Sequence, residues 1–542
     1  MDKLNGSVFL GMLESGCANL NNRQEEVNSL NVFPVPDGDT GTNMSLTFTS
    51  GMSEVRKSGS RDLAVITKTL ARGMLMGARG NSGVILSQIF RGVDASVKAA
   101  ATDEITVAQF SAAFLNGAVK AYKAVMRPTE GTILTVAREA SEYGDLYVKD
   151  HPECTLEEYV DLLCKEAKAS LDRTPELLPV LKEARVVDSG GAGLTYIFDG
   201  FRAYLEGAPI TEGSKEEEKK EEVKANGYCA EFILDLSEQG QHLFAENRFR
   251  ESLSKLGNNI TLINDGGKVK VRMNSLLPGE VLNLGQRYGE FERIQIDNLA
   301  FEQHPSILNS TEKKEEPEEE PIEEKEFGII TVCAGDGLVK LFKNYRADIV
   351  VSGGQTMNPA TEDFTKAISR LPAKHIFILP NNGNIIMAAR QAAELTEDKD
   401  IIVLETKSVP QGLSACMAFN PEGTVEENKE GMLEAIDHVR SGSVTYAIKD
   451  TSVDGRPIHA GDFMGICEKE IRLTDPDKVE AACGLIRSMV DEDSEIITLI
   501  SGEDAKEEET ERIQAFIENN FDVDVDVEKG GQPVYSYLIG VE

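Results

Sequence analysis

Two strongly acidic, low-complexity runs divide the 542-residue chain and limit what it can fold into. The first occupies residues 211–224 and the second residues 309–326, and both are rich in glutamate and lysine. Because neither run carries enough apolar side chains to bury, each is expected to be a solvated linker. The sequence therefore predicts three folded segments, 1–210, 225–308 and 327–542, since a chain of this length exceeds a single core.

The charge balance and the cysteine pattern narrow the class of protein. A formal net charge of −36 disfavours nucleic acid and anionic membranes as partners. The eight cysteines are scattered, without a Cys-x-x-Cys pair, which is typical of a reducing compartment. The sequence shows no apolar run suited to a signal peptide or a membrane span, so we expect a soluble, cytoplasmic protein.

The first segment has the apolar period of helices. Val8, Phe9, Met12, Leu13, Cys17 and Leu20 keep a three-four spacing, and similar stripes run through 62–76, 82–99, 106–126, 131–148 and 156–171. No clear alternating strand pattern occurs before residue 225. This pattern predicts an all-α domain, a bundle or ring of roughly eight helices.

The middle segment changes period. Strand-like stretches at 228–236, 260–264, 268–273 and 292–297 alternate with helical stretches at 245–256 and 278–286. Their order, strand-helix-strand-strand-helix-strand, predicts an α+β domain of the split βαβ type.

The third segment alternates short apolar strands with helices. The expected strands are 328–333, 349–351, 375–379, 401–405, 443–448 and 496–501. Polar, glycine-containing loops follow three of them, at 352–356, 380–384 and 406–412. This layout predicts an open, mostly parallel α/β sheet with ligands or partners at the loops.

One loop in the first segment suits a hard cation. Residues 31–44 place Asp37 and Asp39 in a proline- and glycine-containing turn ahead of a helical stretch. In such a turn both carboxylates can converge on one ion, and Mg²⁺ prefers one or two carboxylates together with water and phosphate oxygens. The N–H groups of the following helix would also attract phosphate, although an ordinary surface turn is the alternative.

Several other helix starts are rich in glycine and hydroxyl groups. They lie at 77–83, 130–132 and 188–193. Glycine lets the backbone approach an anion closely, and the unpaired N–H groups at a helix start point toward it. Each alone is better explained as an ordinary helix start with a flexible turn. Together with the twin-Asp loop, they fit a nucleotide neutralised by metal and helix N-termini.

These motifs also resemble a known family. Residues 31–44, 77–88 and 186–193 resemble the signature of the dihydroxyacetone kinase L-subunit superfamily, also called the DAK2 domain family. The three-segment arrangement, including the ending at 535–540, is similar to the catalytic subunits of bacterial fatty acid kinases over the whole chain. The resemblance implies an eight-helix antiparallel barrel that binds ATP at one end.

The resemblance also implies roles for individual residues. Asp37 and Asp39 would hold two Mg²⁺ ions. Related proteins carry a further aspartate a few residues earlier, for which Asn31 is the nearest candidate here, and it is a weaker metal ligand because an amide is neutral. Arg79 and Arg173 are candidates to steady charge on the transferred phosphoryl group, with structural salt bridges as the alternative. The expected nucleotide contacts are Thr40, Gly41, Asn43, Gly80, Asn81, Ser82, Gly83, Thr132, Asp188 and Gly190.

The implied reaction is phosphorylation of a fatty acid carboxylate. The acid would be presented by a separate fatty-acid-binding (DegV-like) carrier protein, and the third segment, itself DegV-like, would dock that carrier. The resemblance further implies a homodimer. Because a carboxylate is already ionised at pH 7, such a reaction requires no general base. A dihydroxyacetone-type (glycerone) kinase and a non-catalytic, nucleotide-sensing scaffold are the alternatives.

The middle segment departs from many relatives. They carry a His-x-His pair and a cysteine that would form a zinc set, whereas residues 271–275 contain no histidine and Cys229 alone corresponds. One sulfur ligand cannot form a tetrahedral site, so we expect no zinc and expect Cys229 to be a small buried apolar residue.

Overall fold

The computed structural model describes residues 1–32, 38–213, 228–237, 244, 249, 252–253, 255–265, 268–275, 277–298, 325–354, 357–453, 456–468 and 470–542. The chain forms two compact units, one made of Met1–Lys215 together with Ile322–Glu542 and one made of Glu216–Pro321. Asp37 and nearly all of both acidic runs lie outside the described residues.

Ten helices are described between residues 1 and 213. They are α1 Gly6–Asn22, α2 Gln24–Ser29, α3 Thr40–Ser58, α4 Leu63–Met76, α5 Gly80–Ala100, α6 Val107–Ala124, α7 Ile133–Asp150, α8 Leu156–Leu177, α9 Pro179–Ala184 and α10 Ser189–Leu205. Capping side chains directly before several helices determine where those helices begin. Thr106 and Thr155, for example, each cap a helix reciprocally with the residue three positions later.

The long helices contact one another in a closed succession, from α1 through α3, α4, α5, α6, α7, α8 and α10 back to α1. A shared core of buried phenylalanines lies among them, including Phe90, Phe110, Phe114 and Phe198. Gly16 and Gly200 let α1 and α10 approach closely, because a Cβ on Gly200 would lie 2.5 Å from the Gly16 Cα. The helical character predicted for this segment is confirmed.

Two features of this segment go beyond what the sequence predicts. A short antiparallel pair joins β1 (Lys3–Asn5) to β2 (Glu104–Thr106), directly before α1 and α6. Three-residue strands are too short to show an alternating pattern. The short helices α2 and α9 also add to the predicted set.

The smaller unit contains an antiparallel sheet in the order β4-β5-β3-β6. Its strands are β3 Tyr228–Leu236, β4 Gly257–Asp265, β5 Lys268–Ser275 and β6 Gly289–Asn298, and α11 is Pro278–Gly285. The stretch predicted as a helix at 245–256 is only partly described, with helical residues at 249, 252 and 253. The side chain of Cys229 lies outside the described residues, so its predicted burial stays a prediction.

The C-terminal segment begins with a four-stranded sheet in the order β10-β9-β7-β8, in which every pair is parallel. The strands are β7 Lys325–Cys333, β8 Ile349–Ser352, β9 Ala373–Leu379 and β10 Asp400–Val403. The associated helices are α12 Asp336–Asn344, α13 Thr361–Arg370, α14 Ile386–Glu394, α15 Val409–Ala418 and α16 Val425–His438. The carboxyl ends of these parallel strands form one edge of the sheet, which is where ligands bind in open α/β folds.

A second sheet follows in the order β15-β14-β11-β18-β16-β17. Its strands are β11 Arg440–Tyr446, β14 Phe463–Cys467, β15 Glu470–Asp475, β16 Ile496–Ser501, β17 Asp524–Lys529 and β18 Tyr535–Val541, with helices α17 Lys478–Met489 and α18 Glu507–Asn520. A ribbon of β12 Thr451–Val453 and β13 Arg456–Ile458 precedes β14.

This second sheet differs from the single, mostly parallel sheet expected from the sequence. The sequence predicts β11 and β16 in one sheet with the first four strands, but they belong to a second sheet, in which only β16 and β17 run parallel. A short apolar run identifies a strand without giving its direction or its partner, so the pattern could not separate the two sheets.

Candidate active site

Four helix starts meet at one end of the helical segment. The Ser189 hydroxyl at the start of α10 lies 3.4 Å from Asn31 Oδ1, and Thr40 at the start of α3 donates to the same oxygen at 2.8 Å. The starts of α7 and α10 touch through Ile133 and Gly190, and that of α5 packs on α3. Each helix start exposes N–H groups and a partial positive charge, so together they form an anion-attracting surface.

Asp39 occupies the position before α3 without capping it. Its backbone carbonyl accepts the Asn43 N–H at 2.8 Å, whereas its side chain makes no capping hydrogen bond. Asp39 Oδ2 instead accepts a 2.6 Å hydrogen bond from Asn358 Nδ2. The carboxylate of Asp39 is therefore directed to Asn358 and not to the N–H groups of its own helix.

Asn31 acts as a connector in this site. Its Oδ1 accepts from Thr40 and Ser189, and its Nδ2 donates to the Asn28 carbonyl at 3.0 Å. Because the amide oxygen already serves two hydroxyl groups, its capacity to bind a metal is reduced. Asn31 stays the weakest of the three predicted metal ligands.

The glycines predicted to cradle phosphate are also required by packing. Gly80 has a φ of +57°, and a Cβ there would lie 2.5 Å from Asn43 Nδ2. A Cβ on Gly83 would lie 2.3 Å from Thr47 Oγ1, and one on Gly41 would lie 2.2 Å from a carbonyl oxygen in α2. These contacts bring α2, α3 and α5 together and leave the adjacent Ser82 half-buried at the start of α5.

The two candidate arginines have different surroundings. Arg79 Nη1 donates to the Asn358 carbonyl at 2.6 Å, beside Asp39. Arg173 lies on α8, has 48% of its side chain exposed, and pairs with Glu139 of α7 at 2.8 Å. Although partial burial opposes it, the Ser170 hydroxyl and the Arg173 guanidinium hold the pKa of Glu139 below its usual range. The structure thus joins both Arg79 and Asp39 to Asn358 and gives Arg173 a salt bridge with Glu139.

Asp188 and Thr132 directly precede two neighbouring helices, α10 and α7. Asp188 Oδ2 accepts the Gly191 N–H at 2.7 Å and so caps α10. Burial raises the pKa of this carboxyl to about 6. Thr132 precedes α7, and its hydroxyl donates to the Thr129 carbonyl at 2.8 Å.

A cavity of about 480 Å³ opens between the helical segment and the parallel sheet. On the helical side it is lined by Asn31, Gly38, Asp39, Thr40 and Asn81. On the other side it is lined by the loop 380–384, by residues 407–411, which include the first turn of α15, and by residues in or next to the second sheet. Lys407 and Glu468 add one charge of each sign. The first two stretches lie within the segments predicted from the sequence to bind ligands or partners, although no sequence pattern indicates that they face Asp39.

The helical wall of the cavity offers oxygen ligands. The lining residues Asp39, Thr40, Asn31 and Asn81 carry a carboxylate, a hydroxyl and two amide oxygens. The Asn81 Oδ1 is buried and makes no hydrogen bond within the described part of the chain. Hard divalent cations prefer such oxygen ligands, so the residues present fit Mg²⁺.

Asn358 was not identified from the sequence. It lies between β8 and α13, directly after a short stretch of which residues 355 and 356 are not described. An isolated asparagine before a proline carries no signal of a partner more than 300 residues away, so only tertiary structure brings it to Asp39.

Sequence comparisons cover nearly the whole chain. Residues 34–203 match the DAK2 domain, residues 225–306 match the FakA-like middle domain of fatty acid kinases, and residues 328–542 match the FakA-like C-terminal domain. Protein YloV of Bacillus subtilis (strain 168) is 44% identical over 556 residues, covering 99% of each chain. An uncharacterized protein of Staphylococcus epidermidis is 43% identical over 564 residues, covering 100% of each.

Solved structures are more distant. A fatty-acid-binding DegV family protein from Thermus thermophilus is similar over 40% of this chain and 99% of its own, with 13% identity and a TM-score of 0.31. The dihydroxyacetone kinase of C. freundii covers 37% of this chain and 35% of its own, with 19% identity and a TM-score of 0.28.

None of the described helices has the length and apolar character needed to cross a membrane. The DAK2 and FakA-like domains imply a kinase that binds a nucleotide. Together with 44% identity to a relative over almost the full length, the matched domains show that the chain belongs to the FakA-like family of fatty acid kinases.

Proposed function

We propose that this protein is an ATP- and Mg²⁺-dependent kinase that phosphorylates the carboxylate of a fatty acid. The acid is presented by a separate DegV-like acyl-binding protein, and the products are acyl phosphate and ADP. The observation that carries this proposal is the position of Asp39, whose carboxylate lies on a cavity wall beside helix N-termini rather than capping α3.

In this proposal Asp37 and Asp39 hold two Mg²⁺ ions, with Asn31 as a weaker third ligand. The N–H groups at the starts of α3, α5, α7 and α10 attract the nucleotide phosphates. The residues assigned to the nucleotide are Thr40, Gly41, Asn43, Gly80, Asn81, Ser82, Gly83, Thr132, Asp188 and Gly190. Arg79 and Arg173 steady charge on the transferred group, for which Arg173 would leave its pairing with Glu139.

The chemistry asks mainly for positioning and charge neutralisation. A carboxylate oxygen of the fatty acid forms a bond to the terminal phosphorus of ATP, while the bond from that phosphorus to the bridging oxygen of ADP breaks. The acceptor is already ionised near pH 7, so no proton has to be removed. Bound Mg²⁺ supplies positive charge to the phosphate oxygens, and Asp37 and Asp39 fix where that charge sits.

We also propose a domain architecture for this kinase. The kinase domain is residues 1–210, an eight-helix antiparallel barrel; the closed succession of helices supports this. Residues 225–308 form a split βαβ middle domain without zinc, and residues 327–542 form a DegV-like domain that docks the carrier. The matched ranges 34–203, 225–306 and 328–542 support these boundaries. The protein would work as a cytoplasmic homodimer.

The test is ADP formation by the full-length protein. Purified protein is incubated with Mg-ATP and a DegV-family carrier loaded with fatty acid, and ADP and acyl phosphate are measured. Dihydroxyacetone replaces the loaded carrier in a parallel reaction. ADP with the carrier alone supports the proposal, and ADP with dihydroxyacetone alone would favour a glycerone-type kinase. No ADP in either, with a carrier that another kinase of this family can use, would overturn catalysis and favour a nucleotide-sensing scaffold.

A further inference from the structure

Asn358, in the C-terminal segment, makes hydrogen bonds to two charged residues of the helical segment, Asp39 and Arg79. Its Nδ2 donates to Asp39 Oδ2 at 2.6 Å and lies 3.4 Å from Asn43 Oδ1. Its backbone carbonyl accepts from Arg79 Nη1 at 2.6 Å. One residue thus holds the predicted metal-binding carboxylate through its side chain and a predicted catalytic arginine through its backbone.

The chain around Asn358 is held firmly against the helical segment. Ala360 forms an antiparallel bridge with Arg79, and the Thr361 N–H donates to the Ala78 carbonyl at 3.2 Å. Ala78 and Val84 also pack in one apolar cluster with residues of the parallel sheet and its helices. Asn358 itself is only 1% exposed. Its amide therefore has little freedom to leave Asp39.

The orientation of the amide follows from its neighbours. An ionised carboxylate only accepts hydrogen bonds, and the nearby Asn43 Oδ1 is also an acceptor, so the NH₂ group of Asn358 must face them. The Asn358 Oδ1 is buried and finds no donor within the described residues. A buried acceptor without a hydrogen bond destabilises the folded protein. The Asn358 Oδ1 could therefore accept a hydrogen bond from a donor on a bound ligand.

We infer that Asn358 is a positioning residue for Asp39 in metal binding. This inference rests on the proposed Mg²⁺-dependent function. A hydrogen bond to one carboxylate oxygen fixes the rotation of the carboxylate plane, and outer partners of this type orient metal ligands. A neutral amide does so without cancelling the negative charge that the cation needs, as a lysine or arginine would. The C-terminal segment thus helps to complete a metal site whose ligands come from the helical segment.

The experiment measures Mn²⁺ binding by the full-length protein in the presence of ATP, using the electron paramagnetic resonance signal of free Mn²⁺ and subtracting the Mn²⁺ that ATP alone binds in a protein-free titration. Asn358→Ala removes the amide, and Asn358→Leu removes it while keeping the number and branching of the side-chain heavy atoms. Both variants are expected to bind Mn²⁺ about 10- to 100-fold more weakly than the wild type. The KM for the carrier should change much less than the metal dependence.

Asn428→Ala is the matched control. Asn428 is also a buried asparagine of the C-terminal segment, and its Nδ2 donates to the Asn420 and Thr424 carbonyls at 2.8 and 3.1 Å. Its loss should lower thermal stability and leave the Mn²⁺ affinity unchanged.

Two outcomes would overturn the inference alone, and a third would overturn the proposed function together with it. Unchanged Mn²⁺ affinity in a folded Asn358→Leu protein would show that Asp39 needs no positioning by this amide, and the proposed function would stand. An equal loss of Mn²⁺ affinity in Asn428→Ala would show that the weaker binding results from general instability of the C-terminal segment. If the wild type itself bound no Mn²⁺ with ATP, the proposed metal-dependent function would fail as well.

Discussion

Thr40 donates a 2.8 Å hydrogen bond from its hydroxyl to Oδ1 of Asn31, so the first residue of α3 is tied to the segment that follows α2. Ser189 approaches the same oxygen from the start of α10 at 3.4 Å. The Asn31 Oδ1, which the sequence suggests as a metal ligand, thus links the starts of α3 and α10 by hydrogen bonds. The geometry of the anion-attracting surface depends on this amide.

Replacing Asn31 by aspartate should tighten metal binding. Asn31→Asp keeps an acceptor for Thr40 and Ser189 and adds a negative charge on the cavity wall that carries Asp39. We expect Mn²⁺ affinity with ATP to rise on the order of 10-fold, because affinity for hard cations follows the ligand charge. Loss of the donor to Asn28 should cost about 1 kcal/mol of stability. Asn31→Ala, which loses the acceptor, should gain no affinity, and weaker Mn²⁺ binding by Asn31→Asp would contradict the prediction.

Asp39→Asn should abolish activity without unfolding the protein. The Asp39 side chain makes no capping hydrogen bond, so the protein should lose only the interaction of the charge with the α3 dipole, about 1 kcal/mol or less. The neutral amide should lower the rate of ADP formation by at least about 100-fold, since charge neutralisation carries most of the catalysis. Asp62→Asn is the control, because Asp62 caps α4 through a 2.9 Å bond to the Val65 N–H and asparagine caps equally well. A fully active Asp39→Asn protein would remove Asp39 from the mechanism.

Gly80→Ala should destabilise the start of α5. The added Cβ would lie 2.5 Å from Asn43 Nδ2, and the φ of +57° disfavours any side chain. We expect a loss of at least about 1 kcal/mol in the free energy of unfolding, measured by denaturant titration. Gly431→Ala on α16 is the matched control, because nothing lies within 4 Å of its added Cβ. That variant should gain about 0.5–1 kcal/mol, and equal effects at the two sites would contradict the packing argument.

Asp188 should make stability depend on pH in mildly acidic solution. Burial raises its pKa from 3.8 to about 6, so between these values the folded protein binds its proton more readily than the unfolded chain. This contribution is therefore complete below pH 3.8 and is lost as the pH rises through 6. Asp188→Asn keeps an oxygen to accept the Gly191 N–H and avoids burying a charge.

The variant should accordingly be more stable than the wild type at pH 7.5, by at most about 3 kcal/mol. The difference should shrink toward pH 4, as followed by thermal unfolding across this range. A difference that grows on acidification would show that the Asp188 pKa is lowered rather than raised.

Local signals predicted most of the secondary structure. The stripe at 62–76 became α4 (Leu63–Met76), and the apolar run at 375–379 lies within β9 (Ala373–Leu379). Periodicity and caps act over a few residues, so they can be read directly. The pairing of β11 with β18 joins residues about 100 positions apart, and no local pattern encodes such a partner. The pairing of β1 with β2 could not be predicted for the same reason, because it also joins residues about 100 positions apart.

The sequence by itself determined the helical character of the first segment and the oxygen-rich composition of the loop around Asp39. These properties depend on composition, on apolar period and on the residue types that hard cations prefer, all of which are local. Only the tertiary structure decided that Asn358 donates to Asp39, that Arg79 reaches the Asn358 carbonyl while Arg173 pairs with Glu139, and that the 380–384 loop faces the same cavity. The physical reason is that a hydrogen bond depends on distance in space, and residues 39 and 358 become neighbours only when both segments have packed.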